Sequence, residues 1–172
     1  SGLELIQTEF NLRTDLDDDK NVAARIEDHL VDRDNKPNHD PAADLHIYQS
    51  SEGLILSTQQ LNLDQDLRDI HIDPQHGQLI LPSNGDNQPY TPPADSTPIA
   101  ARTLFAPATN PDHPELRAIS GYELYLTDTT DNNNNSVQRV GFNPDGSYAS
   151  STTLSGLELI QTEFNLRTDL DD

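Results

Sequence analysis

The sequence contains no cysteine, so neither a disulfide nor a thiolate-bound metal can stabilise the fold. Lysine is scarce as well, because Lys20 and Lys36 are the only two among 172 residues. With 30 acidic and 10 basic side chains, the formal net charge is −20. A surface of that charge repels nucleic acids and anionic membranes, so we expect neither class of partner. We find no signal peptide and no membrane-spanning run, and expect any export signal elsewhere in a longer parent chain.

Apolar residues are also few, at 33% of the chain. A composition this polar supports a thin core, as in a β-sandwich, rather than a thick one. The apolar residues nevertheless cluster into short strand-like runs, which argues against wholesale disorder. A domain on a cell surface that lacks disulfides needs another stabiliser, and calcium is the usual one. Groups of oxygen-bearing side chains are therefore the candidate stabilising sites in this sequence.

A segment of eighteen residues is present twice, at 1–18 and at 155–172, with identical letters. Chance does not produce such an identity, and diverged repeats would have drifted apart. The second copy begins 154 residues after the first, which defines the period. The chain was either cut from an array of near-identical repeats, or one strand was copied from one end to the other. Both origins indicate a role in assembly or mechanics, so we expect no enzymatic activity.

The repeated segment alternates polar and apolar residues from Glu9 to Arg13, which predicts a strand with one buried face. We expect the copy at 155–168 to complete this sandwich, so that 19–172 forms one repeat unit. The copy at 1–18 would then be a strand shared with the preceding repeat, and Phe164 should be buried while Phe10 is not. The predicted assembly-strand residues are Leu3, Leu5, Phe10 and Leu12, with Leu157, Leu159, Phe164 and Leu166 in the second copy.

An acidic run follows the first copy, and its oxygen-bearing side chains stand at alternate positions. Such spacing lets a looped backbone aim several oxygens at one hard cation. Lys20 and Ile26 stand where an EF-hand needs glycine and glutamate, so the run is not an EF-hand. The alternative is a solvated charge run without a ligand. The predicted calcium ligands are Asp15, Asp17, Asp19 and Asn21, with Asp32, Asp34 and Asp40 from the next loop.

The remaining pattern predicts an all-β fold, an Ig-like β-sandwich of about eight strands. Hairpins are expected at 45–58, 67–81 and 137–153, single strands at 99–105 and 119–126, and a proline-rich loop at 82–98. The spacing of Val22, Ile26 and Leu30 predicts one short helix near residues 20–31, because a strand there would bury Asp28.

No nucleophile elbow, phosphate-binding loop or zinc-protease motif is found. The five tyrosines are compatible with a sugar-binding face, but tyrosines on strands are more often half-buried packing residues. They are Tyr48, Tyr90, Tyr122, Tyr125 and Tyr148.

In its length, acidity, lack of cysteine and Asp-rich junction at 15–21, the unit resembles the extender repeats of giant bacterial surface adhesins. The resemblance implies an extracellular spacer or fibre-forming unit, which in biofilm and ice-binding types projects a terminal ligand-binding domain. It also implies that calcium stiffens the junctions, with Asp15, Asp17, Asp19 and Asn21 as junction ligands. Neighbouring identical repeats would be the partners. Two alternatives stay open: a pilus or filament subunit polymerised by donor-strand complementation, and a carbohydrate-binding module.

Overall fold

The computed structural model describes residues 24–25, 43–50, 53–60, 78–86, 88–113, 116–128, 136–159 and 162. Within these ranges strands are the predominant regular structure. The strands are β1 (Ala24–Arg25), β2 (His46–Ser50), β3 (Gly53–Ser57), β4 (Leu79–Ile80), β5 (Ser96–Phe105), β6 (Ile119–Asp128), β7 (Val137–Phe142) and β8 (Tyr148–Leu154).

The strands are arranged in two antiparallel sheets of four, in the order β1-β2-β3-β4 and β5-β6-β7-β8. Strands β5 and β6 are the longest, with ten residues each. A bulge beside Pro98 interrupts the pairing of these two strands, as expected for a residue that has no N–H to donate. Isolated bridges between Asp44 and Arg102 and between Ser83 and Ser147 link the two sheets.

The main core lies between the sheets and follows from period-two alternation. Leu45, Ile47, Leu54 and Leu56 from the first sheet meet side chains of the second sheet in one buried cluster. The second sheet contributes Tyr122, Leu124, Leu126, Val140 and Phe142, which are alternate positions of β6 and β7. The fold is therefore the all-β sandwich that the sequence predicts.

The order of the strands differs from that of an immunoglobulin domain. In the described part of the chain, each sheet is built from consecutive strands, whereas immunoglobulin sheets draw strands from separate parts of the chain. Only β2 with β3 and β7 with β8 are joined by short turns, while the other neighbouring strands are joined by longer connections. The hairpin of β2 and β3 and that of β7 and β8 are confirmed. The expected strand at 67–72 lies outside the described residues.

The helix expected near residues 20–31 is wrong at the two positions of this range that are described. Ala24 and Arg25 are extended and pair with Gln49 and Tyr48 at the edge of β2. An open strand edge offers backbone partners that a short helix of only one or two turns cannot outcompete.

The proline-rich segment between β4 and β5 closes one end of the sandwich. Tyr90 donates its N–H to the carbonyl of Pro82, and its ring meets Phe142 edge-on at 5.1 Å between centroids. Ser83 exchanges backbone bonds with Gly146 and Tyr148 at the start of β8. The loop ends at 95 rather than 98, because β5 begins at Ser96 and the bulge accommodates Pro98.

Candidate assembly surface

The second sheet has apolar side chains on both of its faces. On β6, Tyr122 and Leu124 point into the sandwich, while Tyr125 belongs to a separate buried cluster. Because neighbouring residues of a strand face opposite sides, this second cluster lies on the face turned away from the first sheet. We call it the outer face; its apolar residues are Ile99, Ala100, Tyr125, Val137 and Leu154. An apolar face of this kind requires a cover.

The cover is the start of the repeated segment. Leu159, the fifth residue of the C-terminal copy, is only 8% exposed and belongs to the outer-face cluster. Residues 156–159 and Thr162 are helical, and Thr162 donates its hydroxyl to the carbonyl of Glu158 at 2.8 Å. Gly156 has φ +55°, a left-handed conformation that lets the chain turn out of β8.

The strand predicted for the C-terminal copy is therefore wrong at 156–159. A strand would place Leu157 and Leu159 on the same face, but Leu157 is 85% exposed. The first residues of the copy follow β8 directly and turn over the outer face, where a helical turn buries one leucine and exposes the other. Phe164 and Leu166 lie outside the described residues, as do Leu3, Leu5, Phe10 and Leu12 of the first copy. The predicted contrast between Phe10 and Phe164 thus stays a prediction.

A row of charged side chains runs along the outer face beside the apolar cluster. Arg102 on β5 donates its Nε–H to Glu123 on β6 at 2.8 Å, and Arg139 on β7 approaches the other oxygen of Glu123 at 3.9 Å. Arg139 then donates an Nη2–H to Glu158 of the repeated segment at 3.3 Å. Charges of alternating sign therefore connect three strands of the sheet to the docked segment.

Tyr125 contacts both the apolar cluster and the row of charged side chains on the outer face. It donates to Glu123 at 2.5 Å, although its ring lies in the apolar cluster. Burial, together with the neighbouring charge of Glu123, raises the pKa of Tyr125 far above its ordinary value. Tyr125 therefore stays a neutral donor at any physiological pH, and it holds the carboxylate of Glu123 in place for both arginines.

The residues predicted to bind calcium all lie outside the described residues: Asp15, Asp17, Asp19, Asn21, Asp32, Asp34 and Asp40. Among the residues that the structure does describe, no group of three or more histidines and carboxylates is close enough to hold a metal ion. Calcium binding in the acidic run stays a prediction.

The tyrosines are mostly packing residues. Tyr48, Tyr122 and Tyr125 are at most 1% exposed, and Tyr90 is 8% exposed. Tyr148 is 42% exposed, with its ring stacked on that of Tyr90 at 6.4 Å. The five rings do not form an exposed aromatic platform of the kind that binds sugars.

The sequence analysis did not identify the charged side chains of the outer face. Arg102, Glu123 and Arg139 come from three strands, so only the strand pairing brings them together. One signal was available, since β6 carries apolar residues at both odd and even positions from Tyr122 to Leu126. Apolar residues at both kinds of position indicate a strand that is buried on both faces, although Glu123 interrupts the run.

Comparisons with known protein families, with curated proteins and with solved structures gave no match. Over the described ranges, no helix has the length and apolar character needed to span a membrane.

Proposed function

We propose that the chain is a structural repeat of a long extracellular surface protein, acting as a spacer or fibre-forming unit that calcium stiffens. The observation that carries the proposal is the identical segment, which recurs after 154 residues and begins directly after the last strand. In an array, the segment that opens each repeat would lie against the outer face of the preceding sandwich. The unit would therefore continue into its neighbour without a linker.

The geometry at the end of β8 supports a stiff junction. Leu154, the last residue of β8, and Leu159 belong to the same buried cluster. Only four residues separate these two anchors, and the pair of Arg139 and Glu158 adds a polar contact beside them. Because so few residues are free to rotate, the start of the next unit would keep a fixed orientation on this sandwich. Spacer repeats need this property, since a flexible junction would let the array coil up.

The two alternatives receive less support. Donor-strand complementation requires an extended donor that pairs along its whole length, whereas 156–159 are helical and bury Leu159 within their own chain. A carbohydrate-binding module requires exposed aromatic rings, and four of the five tyrosines are buried.

Small-angle scattering on arrays of increasing length tests the proposal. Arrays of two, four and six 154-residue periods are compared with arrays that carry a Gly/Ser linker of about ten residues between Leu154 and Ser155. For stiff junctions, the radius of gyration rises nearly in proportion to the number of repeats. For the linker arrays, it approaches the square-root dependence of a flexible chain. The spacer function is rejected when both series follow the same square-root dependence.

A further inference from the structure

The outer face of the second sheet already holds the start of one copy of a sequence that the chain carries twice. We propose that, once the C-terminal copy is released, this face binds the other copy in trans, so that residues 1–5 of a second molecule occupy the position that residues 155–159 hold here. The partner is thus a second copy of this chain. The inference goes beyond the spacer function, because it concerns contact between separate chains and does not require an array.

The first argument is chemical identity. The seated copy contacts the sheet through a buried leucine, a glutamate paired with Arg139, and a helical turn closed by a threonine hydroxyl. The N-terminal copy has Leu5, Glu4 and Thr8 at the same spacing, because the two copies are identical. Any side-chain contact that Leu159, Glu158 and Thr162 make is therefore available to the other copy.

The second argument is electrostatic. At a net charge of −20, two molecules repel each other over most of their surfaces. Residues 1–8 contain a single charged side chain, Glu4, and the outer face presents Arg139 at the position where that glutamate would arrive. Arg102 lies on the other side of Glu123 in the same row of charges. The outer face and the N-terminal segment can therefore approach each other with less repulsion than other parts of two chains.

The third argument concerns competition between the copies. The C-terminal copy is attached directly to β8, and a short tether supplies an effective concentration of about 1 mM. A second molecule in dilute solution cannot match this concentration, so the intact chain keeps its own copy in place. Binding in trans requires that the C-terminal copy be released. A substitution that removes the apolar contacts of Leu159 with the outer-face cluster should achieve this.

Sedimentation of full-length variants tests the inference. Leu159→Asp places a charge in the apolar cluster, and we expect the average mass to rise above that of one chain as the concentration approaches about 1 mM. Leu157→Asp is the matched control, because the same change is made two residues away at a side chain that is 85% exposed. It should sediment as the wild-type chain does. Adding Leu5→Asp to Leu159→Asp removes the incoming leucine and should abolish the association.

A monomeric, folded Leu159→Asp chain overturns the inference, and so does association that persists after Leu5→Asp is added. If Leu159→Asp does not fold by circular dichroism, the milder Leu159→Ala chain is titrated with a synthetic peptide of residues 1–18. We expect saturable shifts of the methyl signals of Val137 and Leu154, which lie in the outer-face cluster. The same peptide carrying Leu5→Asp should leave these signals unchanged. Absence of shifts with the unmodified peptide also overturns the inference.

Discussion

At the scale of single residues, two buried hydroxyl groups, one in each sheet, differ in whether they have hydrogen-bond partners. Ser57 on β3 is fully buried, and its Oγ donates to the carbonyl of Gln59 at 2.7 Å and accepts from the N–H of Gln59 at 3.1 Å. Thr103 on β5 is 4% exposed, and its Oγ1 has no hydrogen-bond partner among the described residues. A buried hydroxyl without a partner costs free energy, whereas one with two partners contributes to stability.

Thr103→Val should therefore stabilise the protein, by about 1 kcal/mol, because valine keeps the shape of threonine without the hydroxyl. Ser57→Ala, the matched control, should destabilise it by about 1 kcal/mol, since both bonds to Gln59 are lost. Urea unfolding monitored by circular dichroism measures both changes. A less stable Thr103→Val variant would show that the hydroxyl finds a partner in solution, such as a bound water.

The same scale shows what sequence can predict about individual side chains. Burial of Leu45, Ile47 and Leu124 follows from alternation alone, because each occupies an apolar position of a predicted strand. The partner of Glu123 does not follow from local pattern, since Arg102 is 21 positions away along the chain and meets it through strand pairing. Local sequence encodes which face a residue occupies, but not which residue of the next strand lies beside it.

At the scale of elements, the turn between β7 and β8 is a pH-sensitive feature that the Asn-Pro-Asp-Gly sequence predicts. Asp145 accepts hydrogen bonds from the N–H of Ser147 at 2.9 Å and from the Ser147 hydroxyl at 2.6 Å. These bonds favour the charged carboxylate and lower the pKa of Asp145 below its ordinary value. The stabilisation is complete above the ordinary pKa and is lost as the pH falls through the lower, folded-state pKa.

Asp145→Asn should therefore melt at a lower temperature than the wild-type chain near neutral pH, and the difference should shrink as the pH falls below about 4. Ser147→Ala is the companion variant, because it removes the hydroxyl donor and should raise the pKa of Asp145 towards its ordinary value. A carboxyl-carbon NMR titration measures that pKa in both proteins. Identical titration of Asp145 in the wild type and in Ser147→Ala would contradict this account.

Elements with strong local signals were predicted well, and elements that depend on distant partners were not. The hairpins of β2 with β3 and of β7 with β8 carry turn residues at the right positions. The two wrong predictions fall at 24–25 and 156–159. The first is a pairing at a sheet edge, and the second is a turn over an apolar face. In both cases the deciding surface was formed by residues far away in the sequence, so the local pattern could not reveal it.

At the scale of the whole molecule, the sequence predicts that calcium contributes to stability. If calcium binds the acidic run that contains Asp17 and Asp19, binding relieves the repulsion between crowded carboxylates and occurs only in the folded state. We expect stabilisation of about 3 kcal/mol at about a hundredfold excess of calcium over the dissociation constant. Thermal melting with calcium and with a chelator measures the effect.

Asp17→Ala combined with Asp19→Ala should remove the calcium effect, while the melting temperature in chelator changes little. Magnesium at equal concentration is the control for simple screening of a chain with a net charge of −20. Equal melting temperatures of the wild type in calcium and in chelator would contradict the prediction. The acidic run would then serve to keep a repetitive protein soluble.

The position of residues 155–159 on the outer face has a consequence for how the molecule would respond to tension. Tension applied from beyond Thr162 reaches the pair of Glu158 and Arg139 and the buried Leu159 before it reaches β8. We expect these contacts to break first, after which the five residues from 155 to 159 would extend to about 17–18 Å. In an array, each unit would then lengthen by a short step while both sheets stay intact.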